Sequence, residues 1–316
     1  MARWRKLAVR GAALAALGLL PAVMLAARAG EPGLLETVRV APGVYAFVGQ
    51  MGPMGRDDLG TNATFGAIVT RAGVVLVDPG AGEAAAAAIE AALRGVTDAP
   101  VRWVIDTGSE DHRWLGNGRF RRQGARVIAS ARAAAHQRER ADLLLTRLER
   151  LIGPAAAGTE AVFPDETFTG RRVLKLGGRR IELIEVGPAY GPGDTLVWLP
   201  QERVLFTGPV GLAGRMPVVA DFSDVGGWLR AFDTMEGLRP RVVVPGHGRP
   251  APLARVLADT RDYLRHLRRA VRAFMDAGGA IEDVRQVDQS AFGRLVGYEM
   301  LRGRNAQQMY QFLEWE

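Results

Sequence analysis

The chain has 316 residues, 48% of them hydrophobic and 24% charged, with a formal charge of +7 and no cysteine. This excludes a disordered chain, a disulfide framework, thiolate metal ligands and a cysteine nucleophile. Five basic and no acidic side chains lie in residues 1–29, so the rest carries only about +2 (+7 less 5), with no basic block to hold nucleic acid.

Residues 1–29 carry Arg3, Arg5, Lys6 and Arg10, then the uncharged run Gly11 to Ala26, then small residues at Ala27-Arg28-Ala29. That order predicts a secretory signal peptide. The run is short for a bilayer span and is interrupted by Pro21, so a membrane partner is expected only through this segment if it stays uncleaved. A periplasmic or secreted location follows. Residues 30–36 read as a leader, and 37–316 as one domain with a helical C-terminal extension.

Short alternations predict strands at Thr37 to Ala41 and Val44 to Val48, and a hairpin of Thr64 to Thr70 with Val74 to Asp78. Gly82 to Leu93 is alanine-rich and helical. Val101 to Asp106 and Ala125 to Ala129 read as buried strands, and Ser130 as the cap of a long charged helix to about Ile152. Strands follow at Val173 to Leu176, Arg180 to Val186, Thr195 to Leu199 and Arg203 to Thr207. Gly227 to Met235 is helical, Val242 to Val244 a strand, and Pro252 to Ala277 one amphipathic helix. Ile281 to Trp315 is expected to be helical and to pack on the outside. The order predicts an α/β protein with two sheets between helical layers, a four-layer αβ/βα sandwich.

Five strand ends carry recurrent strings. They are Val77-Asp78-Pro79-Gly80, Thr107 to Phe120 (TGSEDHRWLGNGRF), Gly187 to Asp194 (GPAYGPGD), Val204 to Pro209 (VLFTGP) and Val244 to Gly248 (VPGHG). Together they resemble the metallo-β-lactamase fold superfamily, whose metal loop reads T-H-x-H-x-D-H-x-x-G-N-x-x-F. Within it the chain is similar to exported members such as the quinoprotein relay system zinc metallohydrolases. The resemblance implies the sandwich fold and a two-zinc hydrolytic site at the strand ends.

Carried over position by position, most of that site is substituted. Anchored on Thr107 and Gly116-Asn117, the loop's ligand positions hold Gly108, Glu110, His112 and Arg113. The third histidine is Tyr190, the bridging aspartate is Pro209, and His247 alone keeps its type. A one-residue slip instead makes Asp111-His112 the family's Asp-His pair. Arginine stays protonated and cannot ligate, and glycine and proline offer no side-chain donor. The remaining metal candidates are Glu110, Asp111, His112 and His247. Two imidazoles and a carboxylate suffice for a single divalent ion, zinc among others, with bound water as nucleophile. The alternative is that both histidines hydrogen-bond within their loops.

Other residues read as structuring the loops. Asp78 is expected to accept backbone N–H bonds and to pair with Arg113, and Asp194 to cap a turn. Arg113 can stand in for a metal by neutralising Glu110 and Asp111. Tyr190 belongs with this group. His136 and His266 lie among arginines on helices and read as solvated faces. Met51, Met54 and Met216 read as core packing, with an apolar cleft wall as the other reading. A Ser109–His112 or His247–Asp111 dyad is open by spacing alone. The expected function is a degenerate, non-hydrolytic or weakly active cleft for a small molecule or an exported protein partner, with a single-metal hydrolase as the alternative.

Overall fold

The computed structural model describes Met1 and residues 33–316; the predicted signal segment lies outside the described residues. The first sheet begins with β1 (Glu36–Ala41), so the predicted leader's last residue is already strand. It continues through β2 (Val44–Val48), β3 (Thr64–Thr70) and β4 (Gly73–Val77). These four pair antiparallel in chain order. Helix α1 (Glu83–Arg94) then crosses over to β5 (Val101–Asp106), which pairs parallel with β4. Two short helices, α2 (Asp111–Trp114) and α3 (Asn117–Arg122), precede β6 (Arg126–Ser130), again parallel. The long helix α4 (Ala131–Ile152) leads to β7 (Glu166–Phe168), the edge strand of this seven-stranded sheet.

The second sheet has five strands: β8 (Arg171–Leu176), β9 (Arg179–Glu185), β10 (Thr195–Leu199), β11 (Val204–Phe206) and β12 (Val242–Val244). Its order is β12-β11-β10-β9-β8, with only β11 and β12 parallel. Helix α5 (Val225–Leu238) supplies the crossover between those two. The predicted Pro252–Ala277 helix runs as α6 (Leu253–Val256), a π-helical turn (Leu257–Arg261) and α7 (Asp262–Asp276). Helix α8 (Tyr298–Leu313) completes the described residues' regular structure.

Binary pattern explains the layers. Val44, Val75, Ile105 and Ile128 of the first sheet meet Leu183, Val197, Val204 and Val244 of the second in one buried cluster, so the sheets pack face to face. The first sheet's other face buries Val74, Leu76, Val104 and Val127 against Ile89 and Leu93 of α1 and Phe120 of α3. The second sheet's other face buries Leu196, Leu205 and Val243 against α5, α7 and α8. The four-layer αβ/βα sandwich predicted from the element order is the observed architecture.

Two expectations need correction. The C-terminal region is not an outer appendage: Leu301, Ala306, Met309 and Leu313 of α8 are buried in the second core, and Met300, Leu301 and Arg304 line the cleft. It also contains two 3₁₀ turns, at Val284–Gln286 and Ser290–Phe292. The predicted Ser130 cap is present, with its hydroxyl accepting from the Ala133 N–H (3.1 Å) and donating to the Gly193 carbonyl (2.6 Å). Ser130→Ala is expected to cost at least about 1 kcal/mol in a urea-unfolding measurement, because a cap is lost and a buried carbonyl is stranded.

Candidate functional site

The strand ends converge. Asp78 follows β4, Thr107 follows β5, the Gly187–Asp194 loop joins β9 to β10, Pro209 follows β11, and His247 follows β12. Ser109 to His112, Tyr190, Pro209 and His247 of these loops floor a cleft of about 540 Å³ whose walls come from α4, the 209–222 loop and α8.

The loop after β5 is held by packing of its frame. Gly116 donates to the Gly80 carbonyl (2.8 Å), and a Cβ there would overlap the Pro79 carbonyl, so the position accepts only glycine. Asn117 donates to Asp106 (2.9 Å) and to the Val162 carbonyl (3.0 Å). Gln137 of α4 donates to the same Asp106 oxygen (3.2 Å) and to the Gly108 carbonyl (3.0 Å). Asp106 is fully buried with one orphaned oxygen, and burial raises its pKa well above the ordinary value. These contacts keep the loop's shape independently of what its tip binds.

At the tip sits Arg113, fully buried. Its guanidinium bonds Asp78 (2.9 Å), Glu110 (3.2 Å) and the Gly246 carbonyl (3.2 Å). Room for it depends on Gly246, where a Cβ would lie 2.7 Å from the Arg113 Nη2. Burial works against the guanidinium's charge, but Asp78 and Glu110 outweigh it and hold Arg113 protonated. Asp78 also accepts from the Thr107 N–H (2.9 Å) and hydroxyl (2.8 Å), as expected of it. One expectation is corrected: Arg113 neutralises Asp78 and Glu110, whereas Asp111 faces His112 Nδ1 (2.9 Å) and Arg147 (3.4 Å).

Glu110, His112 and His247 come together, each offering a donor atom within 4.8 Å of the others. Asp111 is outside that cluster. The two imidazoles meet edge to face at 5.1 Å. His112 Nε2 is 3.1 Å from Glu110. Burial alone pushes the His112 pKa down, but the charge of Glu110 and the acceptor oxygens of Asp111 and Glu110 prevail and raise it. Glu110 is lowered well below the usual range, its burial overcome by His112 and Arg113. His247 is the reverse: burial first, then Arg215, push it well below 6.5 and keep it neutral. Its Nδ1–H donates to the Asn62 carbonyl (2.8 Å), which leaves Nε2 facing the cleft.

Tyr190 packs edge-on against Trp228 (5.5 Å) and Phe222 (5.6 Å). Burial, then Glu110, hold its hydroxyl protonated. Asp194 caps its turn by accepting from the Gly191 N–H (2.7 Å), and burial raises its pKa well above 3.8. Met54 and Met216 are buried in the core, as read from the sequence, and also line the cleft; Met51 does not line it. His136 is the main miss. It is buried, lines the cleft, and lies 2.7 Å from the Ser109 hydroxyl. Ser109 therefore pairs with His136 and not with His112. His266 bonds the Asp288 carbonyl (2.8 Å).

The sequence profile of the metallo-beta-lactamase superfamily matches residues 57–247, a span that contains every strand-end loop just described. The chain belongs to this superfamily. A linear primary-alkylsulfatase from Pseudomonas sp. is 26% identical over 138 residues, 40% of this chain and 26% of that protein. The chain thus spans about a quarter of the length of that curated relative. Among solved structures, the inverting sec-alkylsulfatase Pisa1 from Pseudomonas sp. superposes with a TM-score of 0.69 at 18% identity, over 88% of this chain and half of that one (50%). A metallo-beta-lactamase from Pontibacter korlensis gives 0.58 at 22% identity, over 73% of this chain and 99% of its own. At these identities the structural likenesses speak to fold.

The donor set here does not fit the superfamily's metals. Glu110 already accepts from Arg113 and lies 3.1 Å from His112 Nε2, and a second guanidinium, Arg215, lies 3.2 Å from His247. A dication placed among them would meet two fixed positive charges at short range. A second metal would rest on Gly108 and Pro209, which supply no donor atom.

Proposed function

We propose that this superfamily member binds an anionic, partly apolar small molecule in the cleft and does so without a metal centre. The observation that carries the reading is the buried Arg113 guanidinium, bonded to Asp78 and Glu110 where the family's loop places a ligating histidine. Arg113 lies beneath the cavity, and the cations that line it are Arg140, Arg147, Arg215 and Arg304. Of its three carboxylates, Glu110 and Asp111 are already paired, so the uncommitted charge is positive. Met54, Leu144, Met216 and Leu301 give the same cavity an apolar side. A charged head on a hydrocarbon tail suits both halves. The matched relatives named as alkylsulfatases support this class, since an alkyl sulfate is such a molecule.

Calorimetric titration with octyl sulfate, octanoate and octanol tests the proposal. Both anions are expected to bind and the alcohol not. Arg215→Gln is expected to weaken the anions by about tenfold or more, the size of one hydrogen bond to a charge. Equal binding of octanol would overturn the anion reading. EDTA is expected to leave the melting temperature unchanged.

A second reading has one observation in its favour, the 4.8 Å cluster of Glu110, His112 and His247. It requires a neutral His112, since a ligating imidazole nitrogen carries no proton. One equivalent of tightly held zinc, lost in His247→Ala, would favour it. We also propose export to the periplasm or beyond, on the strength of residues 1–29; fractionation of cells and the mature N-terminus decide that. An exported protein partner, in place of a small molecule, would appear as co-purification dependent on the cleft arginines.

A further inference from the structure

We propose that Ser109 and His136 form a nucleophilic dyad that cleaves an ester lodged in the cleft. The two side chains come from different elements, the loop after β5 and the third residue pair of α4's first turns, and meet only through the fold. The Ser109 hydroxyl lies 2.7 Å from His136 Nδ1, the distance of an O–H···N bond. Both residues line the cavity, so the pair faces the ligand space.

Each member is held in place. The Ser109 carbonyl accepts from the Trp114 indole (3.3 Å), and Trp114 is fully buried and stacked on Phe163. The imidazole packs edge-on against Phe222 at 5.1 Å, and that ring is covered by the Arg140 guanidinium at 4.6 Å. Arg140 follows His136 by one helical turn on α4 and lines the cleft with it. Burial, then Arg140, lower the His136 pKa, which leaves a neutral imidazole able to take a proton. Beside the hydroxyl the backbone is bare: a Cβ at Gly191 would lie 3.5 Å from the Ser109 Oγ, and Gly191 carries none.

The step balances with water as the only co-reactant. Ser109 Oγ bonds to the carbonyl carbon as its proton passes to His136 Nδ1. The bond from that carbon to the alkoxy oxygen breaks, and the alcohol leaves with that proton. Water then attacks the acyl–Ser109 ester and gives a proton to His136; the acyl–Oγ bond breaks, His136 returns that proton to Ser109 Oγ, and the acid leaves. Arg140 lines the same cavity and supplies a positive charge beside the dyad. The inference rests on the anion-binding reading only for where a charged substituent of the ester would sit.

A neutral probe separates the two. The full chain is incubated with phenylmethylsulfonyl fluoride, which forms a sulfonyl–Ser109 bond as fluoride leaves, and peptide mass spectrometry locates the adduct. The expected result is an adduct on Ser109, absent in Ser109→Ala. In His136→Gln it forms about a hundredfold more slowly, the contribution of a general base, at an unchanged melting temperature. An unlabelled Ser109 in the folded wild type, or equal labelling rates in the wild type and His136→Gln, would overturn the dyad. Should octyl sulfate fail to bind while Ser109 still labels, the anion reading falls and the dyad stands.

Discussion

Replacing Arg113 by alanine is expected to lower the unfolding free energy by about 3–5 kcal/mol, the cost of removing one partner from a buried ionic group. The guanidinium bridges Asp78, Glu110 and the Gly246 carbonyl, which belong to three separate strand-end loops. Its removal leaves Asp78 almost out of contact with solvent and without a cation, and opens a void beneath Gly246. Arg113→Lys should recover only part of the loss, because one ammonium cannot reach all three acceptors in the fork geometry. Chemical denaturation of the three proteins reads this directly. A wild-type-like free energy for Arg113→Ala would show that the loops hold together without their internal cation.

The same substitution has a pH signature. Glu110 has a folded-state pKa well below 4.5, so its ionisation stabilises the fold at pH above that ordinary value, and the contribution is lost as pH falls through the depressed folded value. The wild type should therefore hold this contribution well into acid. Without Arg113 one of the stabilising cations is gone and the Glu110 pKa moves up. The acid limb of the stability curve is then expected to start at higher pH in Arg113→Ala than in the wild type.

The sequence carried the scaffold further than the site. Strand ends were readable because each joins an apolar run to a fixed backbone requirement: Gly116 against the Pro79 carbonyl, Gly246 against the Gly208 carbonyl, Ser130 at the head of α4. Such requirements are local, so a string of residues displays them. β7, three residues long, is too short to show a period and was missed. His136 was misread because it lies among arginines on a charged helix. Periodicity reports which way a residue faces only when the helix has one apolar partner, and here the partner is a polar cleft built by distant loops. For the same reason α8 read as an outer helix. Its own alternation is weak, and its buried side comes from docking on α5 and α7. Arg113 was readable as a replacement cation from its position in the loop. Its pairing with Asp78 was readable as well; that Asp111 turns to Arg147 instead depends on how α2 turns, which no spacing fixes.

Trp228→Ala is expected to cost about 3–5 kcal/mol and to cripple the cleft together with the core. The indole is fully buried between the second sheet and α7, yet it also lines the ligand cavity. Its N–H donates to the Val210 carbonyl (2.7 Å), which fixes the loop carrying Pro209, and its ring is the wall against which Tyr190 stands edge-on. Truncation therefore joins the cleft to a new void, frees Tyr190 and strands a buried carbonyl. Trp228→Phe keeps a ring but loses the N–H, which isolates the hydrogen bond at about 1–3 kcal/mol. If Tyr190 forms the cleft floor because Trp228 supports it, the phenylalanine variant should keep most of the affinity for octyl sulfate, and the alanine variant should lose it even at temperatures where it is folded. Equal affinity in all three proteins would mean that the ligand sits toward α4 and α8, away from this wall.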